Sequence, residues 1–215
     1  MTLTSPGTST TSQPPDEASA RTDVYARLSS ALAFPDSTLR ERVAADEWPE
    51  EMATELAGLP YRLRTHDLAW SVPADYDDMQ TEYIRVFQIG GRRGPPCPLH
   101  EGHYTRDRGH TLQHAIRFYN YFNFHFADGV MPDHASVELE FMSHLAGSTV
   151  SDRQSLLRAQ RDFLKSHLSW LPELAERVIR SDPPRFYGSL VRLTARLVAA
   201  DRPFIEQTLG GYRDA

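Results

Sequence analysis

Apolar residues recur at spacings of three and four along most of this chain, with polar residues between them, and the pattern predicts one helix after another. Val24, Leu28, Ala31 and Leu32 form one apolar face, which Pro35-Asp36 stops. Met52, Leu56 and Leu59 mark a short helix ended by Pro60. Tyr76, Met79, Tyr83, Val86 and Phe87 give the next face, opening after Pro73. Leu112, Ala115, Ile116, Tyr119, Phe122 and Phe126 predict a strongly apolar helix. Phe118 and Tyr121 fall off its stripe, so this helix is either buried nearly all round or lines a groove for an apolar partner. Another helix starts at Asp133 and carries Val137, Leu139, Phe141, Met142 and Leu145. Ser151-Asp152 caps a long one through Leu156, Leu157, Phe163, Leu164, Leu168 and Leu171, and Pro172 suits the first turn of its successor. Asp182-Pro183 reads as the start of a last helix bearing Phe186, Tyr187, Leu190, Leu193, Thr194 and Leu197. No alternating strand, hairpin turn or internal repeat interrupts the series. The fold class is therefore all-α: one multi-helix domain over residues 19–205, between a disordered Ser/Thr/Pro-rich tail over 1–18 and a C-terminal tail over 206–215.

One stretch departs from helical periodicity. Gln88 to His103 contains Gly90-Gly91, Gly94-Pro95-Pro96 and Pro98. So long an irregular segment inside a compact domain is more often functional than idle. Composition narrows what it serves. The chain has 215 residues, 40% hydrophobic and 24% charged, with a net charge of -6. That acidity argues against non-specific nucleic-acid binding and against an anionic membrane surface. No apolar run is long enough to span a bilayer, so stable membrane insertion is not expected. The N-terminus lacks a signal-peptide core, and the lone Cys97 fits a reducing compartment; cytoplasmic location is the expectation. Nucleotide-binding and serine-hydrolase motifs are absent.

Two constellations carry candidate chemistry. His103, His110 and His114 form the first; His110 and His114, four apart, share a helix face as paired metal ligands do. A His-based metal-binding protein or metal-dependent enzyme is the alternative they support. The second is Pro132-Asp133-His134 with Glu138 and Phe141 at helical spacing behind it. Asp133 either caps the helix and does no more, losing about 1 kcal/mol if removed, or belongs to a binding site whose His134 titrates near neutrality.

The motif blocks resemble a known family, the TorD/DmsD/NarJ chaperones dedicated to molybdenum-containing oxidoreductases. Pro96-Cys97-Pro98-Leu99-His100-Glu101-Gly102-His103-Tyr104 looks like its Pro-rich loop, and Phe118-Tyr119-Asn120-Tyr121-Phe122-Asn123-Phe124 like its aromatic helix end. Pro132-Asp133-His134 with Glu138-Leu139-Glu140-Phe141-Met142 matches its most characteristic motif. Phe163-Leu164-Lys165-Ser166-His167-Leu168-Ser169-Trp170-Leu171-Pro172 and Phe186-Tyr187 complete the order. Leu99-His100 stands where an aromatic often precedes the Glu, and His103 where a second acid is common. The resemblance implies a TorD-like helical binding protein, not an enzyme, with no cofactor of its own. Its partner would be the apo form of an oxidoreductase catalytic subunit, its twin-arginine signal peptide, or both, and it would work as monomer or homodimer. Asp133 and His134 would be the centre of the peptide site, with Pro132, Glu101, Tyr104, Leu99 and Glu138 around them. An apolar groove would take the peptide, and a carboxylate such as Asp133 or Glu101 would pair with its arginines.

Overall fold

The computed structural model describes residues 17–90, 94–181 and 186–211. Nine α-helices are present among them: α1 (Glu17–Leu32), α2 (Ser37–Ala44), α3 (Glu47–Ala57), α4 (Tyr76–Tyr83), α5 (Arg108–Tyr121), α6 (Ala135–Ala146), α7 (Arg153–His167), α8 (Leu171–Ser181) and α9 (Phe186–Gly211). A π-helical turn, Ile84–Gln88, prolongs α4, and a 3-10 turn, Glu101–His103, precedes α5. No strand occurs among the described residues, and an isolated antiparallel bridge joins His100 and His134. The all-α reading holds.

Four Asp residues cap helices as short side chains with two acceptor oxygens do. Asp36, Asp75, Asp107 and Asp152 accept from the amides of Leu39, Asp78, His110 and Ser155 at 2.8–3.0 Å. The centre of the domain is α6. It is buried all round except for Glu140 and His144, and it packs along α1 on one side and α7 on another. A helix apolar on nearly every face has to be interior. Phe141 meets Phe163 at 4.6 Å and Tyr119 at 4.9 Å between ring centroids, edge to face. Each such pair contributes about 0.5–1.5 kcal/mol beyond its area. A second tie is polar: Arg21 of α1 forks onto buried Asp201 of α9 at 2.7 and 2.8 Å, and Tyr25 and Tyr61 donate to the same carboxylate.

Several element boundaries differ from the sequence expectation. The aromatic helix ends at Tyr121, not at Phe126. Asn123 takes the left-handed conformation at φ 51°, Phe124 N–H reaches Tyr119 O at 2.9 Å, and Asn123 N–H reaches Asn120 O at 3.2 Å. That is the double closure of a Schellman turn, sealed by the Tyr119–Phe124 ring contact. α2 carried no apolar stripe, because Val43 is its one buried residue. α9 continues to Gly211, past the expected domain end at 205, since Ile205 and Leu209 are buried. The tail over residues 1–16 and the Asp182-Pro183 helix start lie outside the described residues, and the structure describes Glu17 and Ala18 only as part of helix α1.

Candidate functional site

The Pro-rich loop and the start of α6 are laid side by side by their backbones. Ala135 N–H donates to Leu99 O at 2.8 Å and Glu101 N–H to Asp133 O at 2.9 Å. Pro96 and Pro98 restrict the backbone of the incoming chain, which bends at Pro96, Cys97 and Leu99, and contribute no donors of their own. The loop then turns through Glu101–His103, where Tyr104 folds back to donate its hydroxyl to Pro98 O at 3.0 Å. Tyr104 stacks on Trp170 at 4.8 Å between ring centroids, and the Arg177 guanidinium sits 4.3 Å from the Tyr104 ring centroid. The seven residues singled out from the sequence thus come together at one junction.

Their roles differ from those expected. Asp133 is not the cap of α6; His134 is. The backbone of His134 is extended (φ -80°, ψ 137°), and its Nδ1 accepts from Ser136 N–H at 3.2 Å, with the Ser136 hydroxyl at 2.7 Å. A ring that accepts at Nδ1 is neutral. Burial, with the charge of His100, pushes its pKa down to about 4, which agrees with that geometry. Asp133 lies one residue earlier and is 0% exposed. Its carboxylate turns away from the helix toward the loop: Oδ1 lies 3.2 Å from His100 Nδ1, and Oδ2 accepts from Gly102 N–H at 3.2 Å. Arg108 Nε stands 3.7 Å off. Burial raises the Asp133 pKa, but His100, the Gly102 amide and Arg108 outweigh it, and the net shift is downward. A side chain on Gly102 would meet Asp133 Oδ2 at 2.9 Å and Arg108 Cγ at 2.5 Å, so only glycine fits that approach.

Behind this layer lies a second one, fully buried. Glu101 is 2% exposed, Glu138 0% and His167 1%. His167 Nδ1 contacts Glu101 Oε2 at 2.9 Å, and its Nε2 contacts His114 Nδ1 at 2.8 Å. Trp170 Nε1–H donates to Glu138 Oε2 at 3.0 Å, whereas Glu138 Oε1 receives no N–H or hydroxyl donor among the described residues. Burial first, and the nearby Glu101 charge second, push the Glu138 pKa well above the usual carboxylate range. Leu99, Glu101, Asp133 and Glu138 are therefore all interior, and Pro132, His134 and Tyr104 are half-buried. Neither Asp133 nor Glu101, as folded, presents an oxygen to solvent for a peptide arginine. The histidine trio does not assemble: His110 and His114 stack at 6.0 Å, but His103 is not grouped with them, and His114 turns inward to His167. Missed by sequence reasoning as site residues were His100, Arg108, His167 and Trp170. All but Arg108 stood inside the motif blocks, yet no spacing paired them with Asp133, Glu101 or Glu138.

A surface depression lies on the α5–α7 side. Phe118 and Tyr121 of α5 and Phe122 just past its end, with Leu156 and Ala159 of α7, line a depression of ≈ 1050 Å³ whose edge carries Arg117, Arg158 and Asp162. Tyr121 is 82% exposed there, so α5 is not buried all round.

Residues 45–176 match the family described as nitrate reductase delta subunit, more than half of the chain. The chain belongs to that family. Among family relatives, it is 34% identical over 113 residues to the chlorate reductase assembly chaperone protein of Ideonella dechloratans, covering 47% of this chain and 58% of that protein. It is 28% identical over 201 residues to the perchlorate reductase assembly chaperone protein of Dechloromonas aromatica, covering 86% and 89%. To the chaperone protein TorD of Vibrio cholerae it is 33% identical over 81 residues, 35% of this chain and 37% of that one. The chain thus spans 58% and 37% of the first and third of these relatives, and most of the second. These family members are named as chaperones or assembly proteins, not as catalysts. No described helix is long and apolar enough to cross a membrane.

Proposed function

We propose that this protein is a chaperone for the catalytic subunit of a molybdenum-containing oxidoreductase. It binds the subunit's signal peptide or another segment in the cytoplasm while the subunit is cofactor-free, and lets go once the molybdenum cofactor is in place. The observation that carries this reading is the similarity over 86% of the chain to a protein named as a reductase assembly chaperone. The junction geometry supports it. A rigid loop pinned to a helix start offers His100, Arg108 and half-buried His134 and Tyr104 at its surface, over a framework of buried carboxylates. The apolar groove along α5 and α7 suits an amphipathic or apolar helical segment. A net charge of -6 favours encounter with a cationic, arginine-bearing peptide. Asp133 and Glu101 then serve by holding the loop in place, with contact made by the side chains they position.

Calorimetric titration of the full chain tests this, using the client's signal peptide, its cofactor-free catalytic subunit and the loaded subunit. Tighter binding to the cofactor-free form is expected. Equal affinity for both forms would make the protein a plain adaptor, and absence of binding to any of the three would remove the reading.

A further inference from the structure

Glu101, Glu138 and His167 come from three separate elements: the 3-10 turn, α6 and α7. Each offers one ligand atom, and the three atoms lie within 4.8 Å of one another in the buried interior. Two carboxylates held this close repel unless a positive charge or a shared proton sits among them. Two further observations favour an ion. Glu138 Oε1 is buried and receives no N–H or hydroxyl donor among the described residues, with the Glu101 carboxyl beside Glu138 as the one group that could share a proton with it, although its other oxygen takes the Trp170 indole N–H. Interiors rarely leave so strong an acceptor unused. The second concerns orientation. His167 Nε2 is engaged by His114 at 2.8 Å, which turns Nδ1 toward the carboxylates. Such outer contacts, a ring nitrogen fixed by a neighbour and a carboxylate oxygen fixed by a donor, are how ligands are aimed at metals.

We infer that Glu101, Glu138 and His167 form a binding site for a divalent first-row transition ion, with zinc the best fit. Two oxygen donors and one imidazole suit zinc, manganese or iron, whereas calcium takes six to eight oxygens. A neutral imidazole and two carboxylates also balance a dication. Ligand atoms on a tetrahedral zinc stand roughly 3.3 Å apart. The Glu101–His167 pair at 2.9 Å is already near that spacing, and Glu138, within 4.8 Å of both, has to close by up to about 1.5 Å. A bound ion would tie the Pro-rich loop to α6 and α7 directly beneath the proposed peptide surface. Its ligand atoms are not those of the trio that the sequence brought forward, of which only half-buried His114 touches the site, through His167, and it does not depend on the chaperone reading.

The test uses the full chain, stripped with a chelator and refolded from urea with or without Zn²⁺, because enclosed sites load most readily during folding. Elemental analysis after desalting should find one zinc per chain, with a raised melting temperature. Glu138→Gln should weaken zinc by more than about 100-fold, beyond the 10–100-fold that loss of a mere outer contact costs. His110→Ala, at an exposed histidine of the earlier trio, should leave binding unchanged. Zinc that survives Glu138→Gln but is lost in His110→Ala would overturn the assignment. So would a wild-type chain that stays metal-free, which would leave a shared proton as the only occupant. Should Glu138→Gln fail to fold by circular dichroism, Co²⁺ loaded into the wild-type chain decides. Visible d–d absorption of a low-coordinate ion supports the site, and its absence removes it.

Discussion

Replacing Asp133 by alanine should cost far more than a lost helix cap. The carboxylate is completely buried and satisfies the Gly102 amide, touches His100 at 3.2 Å and faces Arg108 at 3.7 Å. A hydrogen bond to a charged group is worth about 1.5–3 kcal/mol, and an orphaned buried donor costs about 1–3 kcal/mol. Part of that sum is returned, because the variant no longer has to desolvate a carboxylate. The net loss expected for Asp133→Ala is about 3–4 kcal/mol, within the range for breaking a buried pair. A cap alone would be worth about 1 kcal/mol. Urea unfolding followed by circular dichroism reads the difference as a midpoint lowered by about 1–2 M. Asp133→Asn keeps an acceptor for Gly102 and loses only the charge, so it should fall between wild type and alanine. The pH dependence carries a definite sign. The folded Asp133 pKa lies below its ordinary 3.8, so the carboxylate's contribution is present above that pH and fades as pH falls through the folded value. The gap between wild type and Asp133→Asn should therefore shrink in acid. A loss under 1 kcal/mol for Asp133→Ala, or a gap that widens below pH 4, would refute the framework role of this residue.

Three more outcomes follow from the same geometry. Gly102→Ala forces a methyl group against Asp133 Oδ2 and Arg108 Cγ, and should lower stability by about 1–3 kcal/mol in the same urea assay; an unchanged midpoint would contradict the close approach. His134, held at about 4 against an ordinary 6.5, leaves its stabilisation intact above pH 6.5 and loses it as pH falls toward 4. That amounts to on the order of 3 kcal/mol. His134→Asn retains a capping side chain and should flatten this part of the stability profile, and an unaltered slope would count against a neutral, half-buried ring. Tyr121→Ala removes an 82% exposed ring from the groove wall, so stability should move by less than about 0.5 kcal/mol. Calorimetry should nevertheless show weaker binding of the cofactor-free subunit, and full affinity would exclude the groove from docking.

The helices were legible where a stripe, a cap and a breaker coincided, as with Asp152 and the apolar face from Leu156 to Leu164. They were not where one residue overrode the pattern. Asn123 turns left-handed and closes α5 although Phe124 and Phe126 continue the apolar run. α2, with a single buried residue, offers no periodicity to read. The site was legible as a set of residues and illegible as an arrangement. His100 and Asp133 are 33 positions apart and Glu101 and His167 66 apart, so only tertiary packing makes them neighbours. The sequence placed Asp133, His134 and Glu138 along one side of a helix start. Asp133 in fact precedes the helix and faces the loop, while Glu138 points inward to Trp170. A local pattern cannot distinguish a capping Asp from one that binds a distant backbone amide, because both use the same oxygens.

The two polar layers meet on a single turn. Glu101 sends its side chain inward to His167, while the next residue, Gly102, gives its amide outward to Asp133. The Pro-rich loop is thus held from both faces, and it cannot lift without uncovering a buried carboxylate on each. Leaving such charges unpaired is costly, which makes the loop a rigid surface and not a hinge. A partner that needs the loop where it stands binds a preorganised site and loses little entropy in doing so. Anything that loosens either layer should weaken that partner without touching it. Loss of binding in Asp133 or Glu101 variants is therefore as consistent with a displaced loop as with a lost contact. A variant of exposed Arg108 separates the two, because it removes surface at the junction while His100, Gly102 N–H and His167 keep their carboxylate partners.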